Sequence, residues 1–95
     1  MISRMSASKS VTVEFFGVPR QRAGRSELAV VAGSVAELLA EVERACPQFA
    51  GLLFADGRLS SHYLLSLDGK QFVNDLRQEL QPGSRVLLLS ADAGG

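Results

Sequence analysis

One segment restricts the possible folds of this chain more than any other. Between Gly33 and Pro47 runs a single amphipathic helical pattern. Ser34 is a good N-cap, and Glu37 follows three residues on, the spacing of a capping box. Val35, Leu38, Leu39 and Val42 then recur at i, i+3, i+4 and i+7, with Cys46 four beyond Val42. Glu37, Glu41, Glu43 and Arg44 fall mostly on the other face, and Pro47 blocks continuation. The pattern predicts a helix from Ser34 to about Ala45. A lone helix with an apolar stripe must bury that stripe against another layer, and the rest of this chain offers strands.

Val11-Thr12-Val13-Glu14-Phe15-Phe16 alternates in period two. Gly17 and Pro19 end that strand, and Arg20 to Gly24 are expected to form a polar turn. Glu27 to Val31 then pairs back as a hairpin. After the helix, Phe49 to Leu53 suggests a short helical turn, and Asp56-Gly57 marks a turn. His62 to Leu67 is a further strand, with Asp68-Gly69 a hairpin signal into Gln71-Phe72-Val73. Asn74 to Gln81 is a polar connection anchored by Leu76 and Leu80, Pro82-Gly83 is a turn, and Arg85 to Ser90 is the last strand. The order β-β-α-β-β-β predicts an α+β fold, a mixed sheet with one main helix packed on one face and the first and last strands side by side at its centre. Residues 1–10 are Ser-rich without periodicity and are expected to be a disordered leader; 11–90 form the domain, and 91–95 a flexible tail.

Composition limits function. The chain has 95 residues, one domain's worth, with little wall for an enclosed substrate pocket. Ten basic residues balance ten acidic ones, so the cationic surplus that drives phosphate binding is missing and no nucleic-acid partner is expected. No apolar run approaches the roughly 20 residues of a membrane span. Met1 to Ser10 lacks the apolar stretch of a signal peptide, so a cytoplasmic location is the expectation. Cys46 is the only cysteine, which excludes an internal disulfide, a multi-cysteine metal site or an iron–sulfur cluster. At a helix C-terminus it is expected to be a small half-buried hydrophobe, because a nucleophilic thiolate needs the opposite helix end or a cationic partner.

Several short stretches resemble one family. Val13-Glu14-Phe15-Phe16-Gly17 resembles the opening strand of the MoaD/ThiS sulfur carriers, and Ser34-Val35-Ala36-Glu37-Leu38-Leu39 their helix start. Leu67-Asp68-Gly69-Lys70 lies where these proteins carry a Val-Asn-Gly-type turn, and Leu80-Gln81-Pro82-Gly83-Ser84-Arg85-Val86 at their Leu-x-x-Gly-Asp-x-Val turn and last strand. The sequence ends on Gly94-Gly95, as theirs do. The resemblance runs from about Val11 to Gly95 and is closer to the MoaD side. In two places the chain departs from it: Ser90-Ala91-Asp92-Ala93 replaces the Pro-Pro-Val of the molybdopterin branch, and Ser84 replaces the acidic turn residue.

The resemblance implies a β-grasp, ubiquitin-like fold and a sulfur carrier acting through its own terminal carboxylate. An E1-like adenylyltransferase supplies the ATP and magnesium site, and this chain itself binds no cofactor. A sulfur donor of the rhodanese or cysteine desulfurase type converts the adenylated Gly95 to a thiocarboxylate. A sulfur-accepting partner, such as the large subunit of molybdopterin synthase, then receives the sulfur. The chain is thereby a co-substrate or small subunit and not itself an enzyme. Gly94 and Gly95 are the reactive pair, since glycine enters a narrow channel and tolerates positive φ. Asp92 and Ala93, just before them, are expected to bind the partner. The alternatives are a carrier for cysteine or thiamine synthesis, a ubiquitin-like modifier conjugated through Gly95, and a β-grasp interaction module with no terminal chemistry.

Alternation adds a docking surface. If Val13, Phe15, Val86 and Leu88 face the helix, then Phe16, Leu87 and Leu89 face away and form an apolar partner site beside the tail. The competing expectation is that the segment 47–61 folds over and covers them. Arg20, Arg22 and Arg25 make a basic cluster, expected to be solvated, and His62, Asp56 and Asp68 are expected to be structural.

Overall fold

In the computed structural model, residues 10–91 are described. The expected leader, up to residue 9, and the tail residues Asp92, Ala93, Gly94 and Gly95 lie outside them. A five-stranded mixed sheet has the order β2-β1-β7-β5-β6, from β1 (Ser10–Phe15), β2 (Glu27–Val31), β5 (Tyr63–Leu67), β6 (Gln71–Val73) and β7 (Arg85–Ser90). β1 and β7 run parallel at the centre, with Val13 opposite Val86 and Phe15 opposite Leu88. The other pairs are antiparallel.

The long helix, α2 (Val35–Ala45), packs across one face of this sheet. The Ser34 hydroxyl accepts the Glu37 amide at 3.2 Å, and the Glu37 carboxylate reaches back to the Gly33 amide at 2.6 Å. The carboxylate thus meets the residue before the cap, a variant of the expected capping box. The first free amides of the helix are satisfied by the connection from β6: Val35 donates to the Gln78 carbonyl and Ala36 to that of Leu76, each at 2.9 Å. Val35, Leu38, Leu39, Val42 and Cys46 are buried against Val11, Val13, Phe15, Val86 and Leu88. Leu76 and Leu80 are buried too, so the Asn74–Gln81 connection is anchored where the sequence predicts.

One expectation is corrected. The segment after Gly17 is no turn: Val18–Ala23 is a short helix, α1, with Pro19 in its first turn and Gly24 closing it in the left-handed region at φ 74°. Proline lacks an amide, but the first turn of a helix has no use for one there. Asp56-Gly57 turns the chain as the sequence predicts. With φ of 56° and 77°, it joins β3 (Phe54–Ala55) to β4 (Arg58–Leu59) in a separate two-stranded sheet.

Candidate functional site

The described chain reaches its last residues from the middle of the sheet. Ser90 ends β7, and the Ala91 amide donates to the His62 carbonyl at 2.9 Å, so the ladder holds up to residue 91. The face opposite α2 is the surface beside this exit. The segment 47–61 does not cover it. A 3-10 turn, Pro47–Phe49, instead carries Phe49 into the core on the helix side, and Leu53 is buried in the same cluster.

Strand register then assembles an apolar patch. Leu87 and Leu89 are half-buried on the open face. Phe16 extends the β1–β7 ladder by one residue, donating its amide to the Leu88 carbonyl at 3.1 Å, and is 43% exposed. Leu64 lies opposite Leu89, and Ser66 lies between Leu87 and Phe72. Leu64 is exposed, and Phe72 is 67% exposed. Leu64 and Phe72 belong to this face although the sequence reading did not select them. Their signal was the Asp68-Gly69 hairpin, which sets the β5–β6 register.

The other end of the same face is charged. The Arg85 guanidinium donates to the Glu14 carboxylate, with a Glu27 oxygen 3.6 Å away. The hydrogen bond and charge of Glu14 raise the Arg85 pKa above its ordinary value, and the charge of Glu27 adds to this. Across the sheet, Asp68 accepts the Arg85 amide at 2.9 Å, and Arg85 accepts the Asp68 amide at 2.7 Å. The face therefore grades from ion pairs at the start of β7 to apolar side chains at its exit. Exposed apolar groups of this kind favour contact with another protein.

The remaining candidates are dispersed. Asp56 and Asp68 are positive-φ turn residues, and Cys46 is buried. Arg20, Arg22 and Arg25 are exposed on and just after α1. Among the described residues no group of three His, Cys, Asp or Glu side chains could hold a metal ion, and no helix is long and apolar enough to cross a membrane. Of the seven residues singled out in the sequence, the structure brings Phe16, Leu87 and Leu89 onto one face; Asp92, Ala93, Gly94 and Gly95 lie outside the described residues.

Neither a protein-family model nor a curated protein matches the sequence. Solved structures do match. Small archaeal modifier protein 1 (SAMP1) from Haloferax volcanii aligns over 90% of this chain and 99% of its own, with a TM-score of 0.77 at 22% identity. A chain of the BexX/CysO complex from Amycolatopsis orientalis gives the same coverage, TM-score and identity. A putative molybdopterin converting factor, subunit 1, from Pyrococcus furiosus aligns over 87% of this chain and 98% of its own, with a TM-score of 0.72 at 24% identity. At these identities the likeness is one of fold. The sheet with its packed helix is the β-grasp fold of ubiquitin-like proteins, as the sequence resemblance implied.

Proposed function

We propose that this chain is a ubiquitin-like sulfur carrier whose reactive group is the carboxylate of Gly95. The observation that carries this reading is the exit of the last strand: β7 leaves the sheet centre beside an open apolar patch and leads within five residues to Gly94-Gly95. A carboxylate cannot be attacked directly by sulfur, because oxide is a poor leaving group. Attack of the carboxylate oxygen on the α-phosphorus of ATP forms an acyl adenylate and releases pyrophosphate. A persulfide sulfur then adds to the carbonyl and expels AMP. A second thiol cleaves the S–S bond, leaving the thiocarboxylate on Gly95 and a disulfide on the donor. The ATP and magnesium site belongs to an E1-like adenylyltransferase that grips the face of Phe16, Leu87 and Leu89. The donor is of the rhodanese or cysteine desulfurase type, and the setting is the cytoplasm.

Within this reading the sulfur goes to molybdopterin synthesis, with the chain as small subunit of the synthase. The structural neighbour named as a molybdopterin converting factor subunit supports that assignment. Conjugation of Gly95 to other proteins is the second reading, favoured by the neighbours named as small archaeal modifiers. Both use the same adenylate. Intact mass after incubation with ATP, magnesium, a persulfide donor and the host's E1-like enzyme separates them. The carrier gains the difference between one sulfur and one oxygen; a modifier instead appears in larger covalent species. An unchanged mass, with no adenylate trapped, rules out both.

A further inference from the structure

The two edges of the sheet differ. β6 is three residues long, and just beyond it Asp75 turns to bridge with Arg58. β2 is the longer edge, five residues without a proline, a lysine or a bulge, the usual devices that keep an edge strand from pairing. Register decides which of its backbone groups are free. The Phe15 amide donates to the Ser26 carbonyl, so the hydrogen-bonded pairs alternate from there, Val13 with Leu28 and Val11 with Val30. The amides and carbonyls of Glu27, Ala29 and Val31 therefore point away from β1. Those of Ala29 and Val31 take no partner among the described residues, and the Glu27 carbonyl accepts from Arg25 Nε at 3.0 Å. Val31 is 56% exposed, and Ala29 is exposed as well. Arg25 makes no ion pair among the described residues.

We propose that β2 pairs antiparallel with β2 of a second copy of this chain, about a two-fold axis at Ala29. That register sets Ala29 opposite Ala29 of the second copy, Leu28 opposite Val30 and Glu27 opposite Val31. Each outward-pointing group then meets its complement: the two Ala29 residues exchange both their hydrogen bonds, and the Val31 amide donates to the Glu27 carbonyl across the joint. On the helix side, Leu28 and Val30 belong to the core and its margin, so the joint carries apolar contact from one copy into the other. On the other side two alanines meet at the axis, and nothing bulky opposes the approach. Glu27 is the only charge in β2, and it faces Val31 and not its own twin, so no like charges stand opposite each other. Two residues outside the strand, the same register sets Arg25 opposite Gly33, whose amide is held by the Glu37 carboxylate at 2.6 Å. Arg25, displaced from the Glu27 carbonyl by the incoming Val31 amide, thus meets a carboxylate of the second copy, and the axis repeats the exchange. This self-complementarity in register and charge selects a second copy over an unrelated strand. Two five-residue strands form a small joint, below what permanent dimers bury, so the association is reversible. β1 lies between the joint and β7, and the face of Leu87 and Leu89 takes no part. The inference does not depend on the chemistry proposed for Gly95.

The test is sedimentation of the full chain over a concentration series up to about 1 mM, the range of a weak contact, with amide hydrogen exchange read by NMR at both ends of the series. A reversible dimer is expected, with the Ala29 and Val31 amides protected only at high concentration. Ala29→Pro removes one edge amide from each copy and no hydrogen bond to β1. Arg25→Glu sets like charges across the joint without touching the strand, and so remains informative if the proline perturbs the fold. Each is expected to weaken association roughly tenfold, while Leu89→Asp on the open face leaves the dimer intact. A chain that stays monomeric throughout, or a dimer that resists both Ala29→Pro and Arg25→Glu, overturns the proposal. So does a dimer lost in Leu89→Asp, which puts the contact on the open face. Ala29 and Val31 amides already protected in the dilute monomer show that another segment of the chain covers the edge, and the proposal then fails as well.

Discussion

Phe49 lies stacked on Phe15, with ring centroids 5.9 Å apart and planes 14° from parallel. Phe15 is one of the β1 side chains directed at α2, so this contact determines the side on which the segment after Pro47 packs. Tyr63 meets Phe49 edge-on at 6.2 Å and closes the cluster. The apolar residues of that segment are drawn to the helix side, and the other sheet face is left open.

Phe49→Ala removes the middle ring of this cluster. The side chain is fully buried, and the change should cost about 3–5 kcal/mol in urea unfolding, as large-to-small aromatic truncations do. A loss below about 0.5 kcal/mol, the level of an ordinary surface change, would show that the ring is not part of the core.

The open face should respond in the opposite way. Phe72→Ser is expected to leave stability within about 0.5 kcal/mol, because a mostly exposed side chain has little burial to lose. Leu89→Asp is expected to weaken binding to the proposed E1-like partner sharply, measured by calorimetry, while the circular dichroism of the fold persists. If Leu89→Asp and Leu87→Asp both unfold the domain, these leucines are core and the docking face lies elsewhere.

Deleting Gly95 should abolish thiocarboxylate formation, read by intact mass, without a measurable change in thermal midpoint. The described ladder of β7 is held through Ala91, so the deletion removes none of the described packing. Retention of full sulfur transfer by the shortened chain would be fatal to the proposed chemistry.

Asp75 gives a pH dependence of known sign. The Arg77 amide donates to its carboxylate at 2.9 Å, and this, aided by the Arg77 charge, holds its pKa below the ordinary carboxylate value. A carboxylate whose pKa is lowered on folding contributes stability above its unfolded value, about 3.9. That contribution is lost as pH falls through the folded value. NMR titration should find the Asp75 midpoint below the normal range, and Asp75→Asn should flatten the acid limb of the stability curve. A midpoint at or above the normal value would contradict the assigned hydrogen bond.

The parts of the fold legible in the sequence were those governed by local chemistry. Ser34, Glu37 and the stripe from Val35 to Cys46 define α2 because cap and periodicity agree within one segment. The alternation of β1 and the turn at Asp68-Gly69 are local in the same sense. α1 was missed because Pro19 reads as a strand terminator, whereas a proline in the first turn with Gly24 just past the end is also a helix signature. Six residues hold too few turns for periodicity to decide between them. β3 and β4 contribute two residues each, too few for alternation to register. Leu64 and Phe72 were illegible as site residues for a different reason: their membership depends on which strands become neighbours, and pairing is a property of the assembled sheet.

The parallel pairing of β1 with β7 bears on what a damaged chain can do. Without Arg85–Ser90 the sheet has no centre, and β2-β1 and β5-β6 remain as two separate hairpins, each marginal by itself in water. A product cut short within the last strand therefore unfolds instead of persisting as a well-formed decoy. The open apolar face is therefore built only in molecules whose β7 is intact, so any chain that presents it has been made at least as far as the end of that strand.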